Sequence, residues 1–170
     1  MKRVSGIFIL LLCILALSAC QMPKLSLADF PLIKNFQCDL SVKTSDKEYY
    51  CHFTRNDDMA EIEVIQPERI EGLTLIYEND IYSVSFKGIT VSLDDSKNQY
   101  IKYFADGFIE NLEEIFNSEE SKPKYEGSRI FYEGSSEYGD YTIYFDAQGR
   151  LMSMEIPSIE TVITAENFKF

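Results

Sequence analysis

The sequence predicts an α+β fold: an antiparallel meander of strands whose apolar face is covered by one main helix. Three observations carry this. Apolar and polar residues alternate through most of residues 36–93, with turn-forming residues between the runs. The period changes to helical spacing between Ser96 and Asn117, and alternation returns from Arg129 onward. Twelve Phe and eleven Tyr, with no Trp, make the chain rich in rings that favour pleated surfaces.

The strands are set in register by asking which turn keeps apolar residues opposite one another. A turn centred on Thr44-Ser45 puts Phe36 across from Phe53, Cys38 from Cys51 and Leu40 from Tyr49, all on one face. A turn at Asn56-Asp57 continues that face with Phe53 across from Ala60, Cys51 from Ile62 and Tyr49 from Val64. His52 then faces Glu61 on the polar side, and Tyr50 faces Glu63. A third turn, at Asn79-Asp80, pairs Leu73 with Phe86, Leu75 with Val84 and Tyr77 with Tyr82. Between the second and third turns, Pro67 to Gly72 interrupts the meander. Proline cannot donate to a ladder and glycine permits a sharp bend, so this segment reads as a link across a corner of the sheet. Ile89, Val91 and Leu93 alternate with Thr90 and Ser92 as a further strand.

The helix is predicted from Tyr100, Phe104, Phe108, Leu112, Ile115 and Phe116, with charged residues between them. Asp94, Asp95 or Ser96 caps its start, and Asn117-Ser118 with Pro123 ends it. Phe104 and Phe108 lie one turn apart, so they project together toward Leu75, Tyr77, Tyr82 and Val84. Beyond the helix, Arg129-Ile130-Phe131-Tyr132 is a strand. Asp146-Ala147-Gln148-Gly149 closes a hairpin that sets Ile143 across from Met152 and Tyr141 from Met154. Ile159 to Phe170 is the final strand.

The N-terminus carries an address. Lys2 and Arg3 precede an apolar run from Val4 to Leu17, which is shorter than the roughly 20 residues a spanning helix needs. Leu17-Ser18-Ala19-Cys20 follows and resembles the lipobox of bacterial lipoproteins. That resemblance implies cleavage before Cys20, a diacylglycerol (palmitate-type) thioether on its thiol, and anchorage to the cell membrane on the extracytoplasmic side. The alternative is an ordinary signal peptide with an incidental cysteine. Two or three acyl chains hold a protein durably where one does not. Residues 1–19 are thus a signal peptide, 20–35 a lipidated tether with one helical turn near Leu27 and Phe30, and 36–170 a single domain.

Removing the leader from 170 residues leaves 151, enough for a real core without a metal. The formal charge of −12 becomes −14, because Lys2 and Arg3 leave and no acid does. With no basic cluster to offset it, such a body repels phosphate backbones, which excludes nucleic acid as a partner. Anionic headgroups are repelled too, so the anchor carries membrane attachment. Cys38 and Cys51 remain as an even pair in an exported domain, directly opposite in the register above. A disulfide between them is expected, with buried free thiols as the alternative.

The order of elements resembles the LolA/LolB-like superfamily. Ile62-x-Val64-x-x-Pro67-x-x-Ile70-x-Gly72-Leu73 is similar to the strand, proline and corner turn of its lipoprotein-sorting branch. Tyr141-x-Ile143-x-Phe145-Asp146-x-x-Gly149 resembles the late hairpin of those proteins. The resemblance implies an open half-barrel over residues 36–170, with helices covering its concave apolar face. Some members carry lipoprotein acyl chains there, and others, including spore-germination lipoproteins of Gram-positive bacteria, engage a protein partner. This chain departs from the transport members in two ways. Residues 21–35 are too short and proline-broken for their N-terminal helix, and Cys20 tethers a protein that a shuttle would leave free. Both departures favour a fixed receptor or scaffold.

Catalytic patterns are missing from the sequence. His52 is the single histidine and sits mid-strand on the polar face, where a surface contact is the plainer role. There is no Gly-x-Ser-x-Gly elbow, His-Glu-x-x-His helix or phosphate-cradling glycine loop. The acidic pairs Asp57-Asp58, Asp94-Asp95 and Glu119-Glu120 lack the spaced ligands of a calcium loop and read as turns and a cap. No cofactor or metal is expected, and the chain reads as a non-enzyme. Two functions remain. One is a binding module for a lipid, acyl or other apolar ligand, with Leu75, Tyr77, Tyr82, Val84, Phe104 and Phe108 around its cavity. The other is a scaffold that engages another envelope protein, in which case those side chains simply fill the core.

Overall fold

The computed structural model describes residues 30–57, 59–79, 81–93, 106–118, 121–127 and 129–170. The chain divides into two units, Met1–Phe30 and Pro31–Phe170, and the elements below belong to the second. Six strands come first: β1 (Phe36–Lys43), β2 (Glu48–Asn56), β3 (Met59–Gln66), β4 (Thr74–Glu78), β5 (Ile81–Phe86) and β6 (Ile89–Ser92). A π-helical turn over Asp106–Glu110 leads into α1 (Asn111–Asn117). Then follow β7 (Lys124–Glu126), β8 (Arg129–Ser136), β9 (Gly139–Phe145), β10 (Leu151–Ile156) and β11 (Thr161–Lys169).

All eleven strands form one antiparallel sheet in the order β6-β5-β4-β3-β2-β1-β11-β10-β9-β8-β7. Each half is a meander, and the two are joined where the first strand pairs with the last. Alternation explains the faces. In β1 the residues Phe36, Cys38, Leu40 and Val42 are buried while their neighbours face outward, and Tyr141, Ile143 and Phe145 do the same in β9. α1 lies on the inner face, with Leu112, Ile115 and Phe116 buried.

The expectation of an α+β fold with one main helix is corrected. Eleven strands dominate the described residues, and the helix among them is a five-residue π turn followed by seven α-helical residues. The side-chain amide of Asn111 donates to the Gly107 carbonyl at 2.6 Å. That is the acceptor an α-helix would offer to the Asn111 backbone N–H, so a regular ladder is disfavoured at this point. Gly107 itself faces Tyr138 and Ile156 so closely that a Cβ would lie 3.3 Å from the Tyr138 ring. Asp94, Asp95, Ser96, Tyr100 and Phe104 lie outside the described residues.

Three hairpin registers differ from expectation by two residues each. Cys38 faces Phe53 and Leu40 faces Cys51 in the first hairpin. The second sets Cys51 against Val64, Phe53 against Ile62 and His52 against Glu63. In the late hairpin Ile143 faces Met154, and a bulge near Leu151 turns Met152 outward. A slip of two keeps side chains on their own faces, Met152 at the bulge excepted, so alternation cannot distinguish the two registers. The third hairpin is as expected, with Leu75 opposite Val84 and Tyr77 opposite Tyr82. The Pro67–Gly72 segment joins β3 and β4, which are hydrogen-bonded neighbours, through a 3-10 turn at Glu68–Ile70.

The register shift also decides the cysteine pair. Cys38 and Cys51 are diagonal on the inner face, and both are buried free thiols. Diagonal cross-strand neighbours sit about 7–8 Å apart at Cα, beyond ordinary disulfide reach. The disulfide reading is replaced by its alternative.

Candidate functional site: an apolar cavity at one end of the sheet

The chain between β3 and β4 is built to bend. The N–H of Gly72 bonds to the Val64 carbonyl at 2.8 Å, with Gly72 at φ +78°, a conformation that favours glycine. The 3-10 turn inside that bend leaves Ile70 half-buried. A second 3-10 turn, Pro157–Ile159, joins β10 to β11 at the same end of the sheet. The far end of β1 and the start of β2 complete the rim.

These elements enclose a cavity of about 340 Å³. Val42, Cys51, Val64 and Leu75 form its sheet wall, Phe108 comes from the π turn, and Ile156 and Ile163 close the other side. Ile70, Ile159, Tyr49 and Thr44 stand around the mouth. Leu75 on β4 and Ile156 on β10 lie five strand steps apart in the sheet order. In a flat sheet that is about 24 Å, so a cavity touching both requires the sheet to curl around it.

The walls are chemically apolar. Phe108 is buried and packs edge-on against Phe53 at 5.1 Å between ring centres. Burial pushes the Cys51 thiol up to about 12, so it stays protonated and behaves as a small apolar group. Cys38, on the same inner face, is pushed up to about 12 by burial and then by the neighbouring Asp39 carboxylate. Among the described residues the polar side chains at the lining are those of Thr44, Tyr49 and Thr161, beside the protonated Cys51 thiol. Such a cavity has room for an aliphatic chain and offers little for recognising a charged head.

A polar clamp holds the helix over this face. Arg55 is buried, yet each of its three guanidinium nitrogens finds an acceptor. Nε donates to Glu113 Oε1 at 2.6 Å, Nη2 to Glu113 Oε2 at 2.8 Å, and Nη1 to the Lys34 carbonyl at 2.6 Å. The guanidinium also lies 4.5 Å from the Phe116 ring centre. Lys34 Nζ donates to the Phe116 carbonyl at the helix end, and the Tyr141 hydroxyl donates to Glu114 at 2.8 Å. Burial and then Glu114 raise the Tyr141 phenol well above its usual range.

Of the expected cavity residues, Leu75 and Phe108 line it. Tyr77 and Tyr82 pack with ring centres 4.7 Å apart and planes tilted by 40° farther along the sheet, and they and Val84 are half-buried on the β4–β5 wing rather than in the lining. Phe104 and Cys20 lie outside the described residues. Ile70, Ile156, Ile159 and Ile163 were missed, although the alternation of Thr161, Ile163 and Ala165 and the proline-marked corners at Pro67 and Pro157 were available as signals. His52 stands on the outer face, its Nδ1 3.1 Å from Asp39 Oδ1, while Asn167 donates to Asp39 Oδ2 at 2.8 Å. Those hydrogen bonds, that of Asn167 first, hold the Asp39 carboxyl below its usual range. Among the described residues no group of three His, Cys, Asp or Glu side chains is placed to hold a metal ion, and no helix is long and apolar enough to cross a membrane.

No protein-family model matches the chain, and no curated protein matches it significantly. Solved structures do. One holds the CwlD amidase from Clostridioides difficile in complex with the GerS lipoprotein. Its matched chain is 15% identical, with 94% of each chain covered and a TM-score of 0.50. An uncharacterized conserved protein from Thermus thermophilus is 11% identical over 80% of this chain and 78% of its own, at a TM-score of 0.47. A LolA superfamily protein from Nitrosomonas europaea is 12% identical over 84% and 88%, at 0.43. At such identities the likeness to the amidase–lipoprotein structure is one of fold.

Proposed function

We propose that this chain is an exported, lipid-anchored binding module that takes an apolar chain, such as an acyl chain, into the cavity at the β3–β4 and β10–β11 end of its sheet. The observation that carries the reading is the cavity itself: about 340 Å³, with an almost wholly aliphatic and aromatic lining. The lipobox at Leu17-Ser18-Ala19-Cys20 supports anchorage on the outer side of the cell membrane, and the resemblance of residues 62–73 and 141–149 to LolA-like proteins supports the ligand class. No reaction is assigned to the chain. Titration of a fluorescent fatty-acyl probe into the mature protein tests the reading. Saturable binding is expected, and Ile159→Asp, at a partly exposed mouth position, should weaken it without loss of the fold. No saturable binding by the wild type would sink the acyl reading.

A second reading has its own observation. The likeness to a chain from the CwlD–GerS structure supports a scaffold that engages a protein of the cell envelope. On that reading the protein works through its surface, and the cavity is incidental.

A further inference from the structure

The cavity is shallow along the strands. Among the described residues β2 lines it with Tyr49 and Cys51 and β11 with Thr161 and Ile163, and neither strand reaches it farther in. Two successive positions on one face of a strand lie about 7 Å apart. The next inward residues, Leu40, Phe53, Ile62 and Met154, are 0–1% exposed and belong to the packed core. Phe108 is the floor, its ring centre 5.1 Å from that of Phe53. A chain that enters at the mouth is stopped there and cannot run on down the inner face.

Volume sets a matching limit. A methylene fills about the space that a water molecule takes in the liquid, about 30 Å³, so about 340 Å³ holds about eleven carbons. One chain uses that room, and the second chain of a diacyl lipid finds none. Among the described residues the lining has no charged side chain. Two of its hydroxyls are already engaged, that of Thr161 donating to the Ile159 carbonyl at 3.1 Å and that of Thr44 to the Lys47 carbonyl at 3.3 Å. Little is left to grip a polar head.

We infer that the cavity selects its ligand by chain length and chain number: it takes the end of a single apolar chain, about eleven carbons of it, and leaves the remainder and any second chain outside. The inference rests on the acyl-binding reading and narrows it to one chain at a time. Apolar stabilisation is proportional to the methylenes removed from water. Affinity therefore grows only while added carbons still enter.

The test is calorimetry of the mature chain with lysophosphatidylcholines of six to sixteen carbons, each kept below its aggregation concentration. Affinity should rise about fourfold per methylene to about eleven carbons and then level off. A phosphatidylcholine with two ten-carbon chains should bind within about threefold of its lysolipid, because the second chain stays outside. Val64→Phe, which fills the wall, should bring the plateau forward by about four carbons, and Phe108→Leu, which lowers the floor, should delay it by about three. Thermal melts check that each variant is folded, and the wild-type series decides alone where one is not. Affinity that climbs unchanged to sixteen carbons, a diacyl lipid bound more tightly than that threefold, or a plateau unmoved in a folded variant overturns the inference and leaves the acyl reading standing. Uptake of the fatty-acyl probe without binding of any lysolipid does the same. Saturable binding of neither probe nor lysolipid removes both.

Discussion

Breaking the Arg55–Glu113 pair should destabilise the fold more than removing both charges together. The Arg55 side chain is 3% exposed and that of Glu113 is 20% exposed. Glu113→Ala removes two of the three oxygen acceptors that satisfy the guanidinium, and leaves a buried cation with the Lys34 carbonyl and the Phe116 ring. Losing one partner of a buried pair costs about 3–5 kcal/mol, and the partial exposure of Glu113 argues for the lower end. A loss of about 3 kcal/mol corresponds to a fall in melting temperature of about 10 °C for a domain of this size. Arg55→Met with Glu113→Leu removes the charge and its need for a partner, and should lie within about 1 kcal/mol of the wild type. Urea unfolding of the mature chain measures both. A cost below about 1 kcal/mol for Glu113→Ala, or a double variant weaker than the single, would refute the view that this clamp holds α1 on the sheet.

Cys38 and Cys51 should resist alkylation in the native protein at neutral pH and yield two reactive thiols after unfolding, because burial holds both near 12. Their raised values stabilise the fold fully below the ordinary thiol value of 9.0, and that contribution should drain away as pH rises toward about 12, as urea melts across that window would show. Gly149→Ala should destabilise severely, since φ is +81° and the new Cβ would collide with the Pro31 carbonyl oxygen; failure to lower the melting temperature would remove the Ile33–Gly149 contact as an anchor of the N-terminal segment. Phe108→Ala should cost roughly 3–5 kcal/mol, as loss of a buried ring against Phe53 implies, and calorimetry checks it. Cys20→Ala should move the protein out of the membrane fraction or leave it uncleaved, and wild-type processing and anchorage would end the lipobox reading.

Which side of β1 to β4 faces the core was legible in the sequence, because a two-residue period is a property of the extended chain itself; the alternation of Ile89 and Val91 buries neither, since all four residues of β6 are exposed. Phe36, Cys38, Leu40, Phe53, Ile62 and Leu75 are all inward, as alternation required. The Asn79-Asp80 turn was legible as well, since one register there matched both the turn residues and the apolar pairs. Only the tertiary structure decided the other registers, because a slip of two, away from the bulge at Met152, leaves every face unchanged and the choice falls to turn geometry and bulges. That slip separated Cys38 from Cys51. The burial of Arg55 was equally hidden, since a lone arginine reads as solvent-exposed until Glu113, 58 residues away, and the Lys34 carbonyl are brought to it. The cavity belongs to the same class. Its walls come from strands five steps apart, and only the pairing of β1 with β11 and the curl of the sheet bring Leu75 and Ile156 to one space.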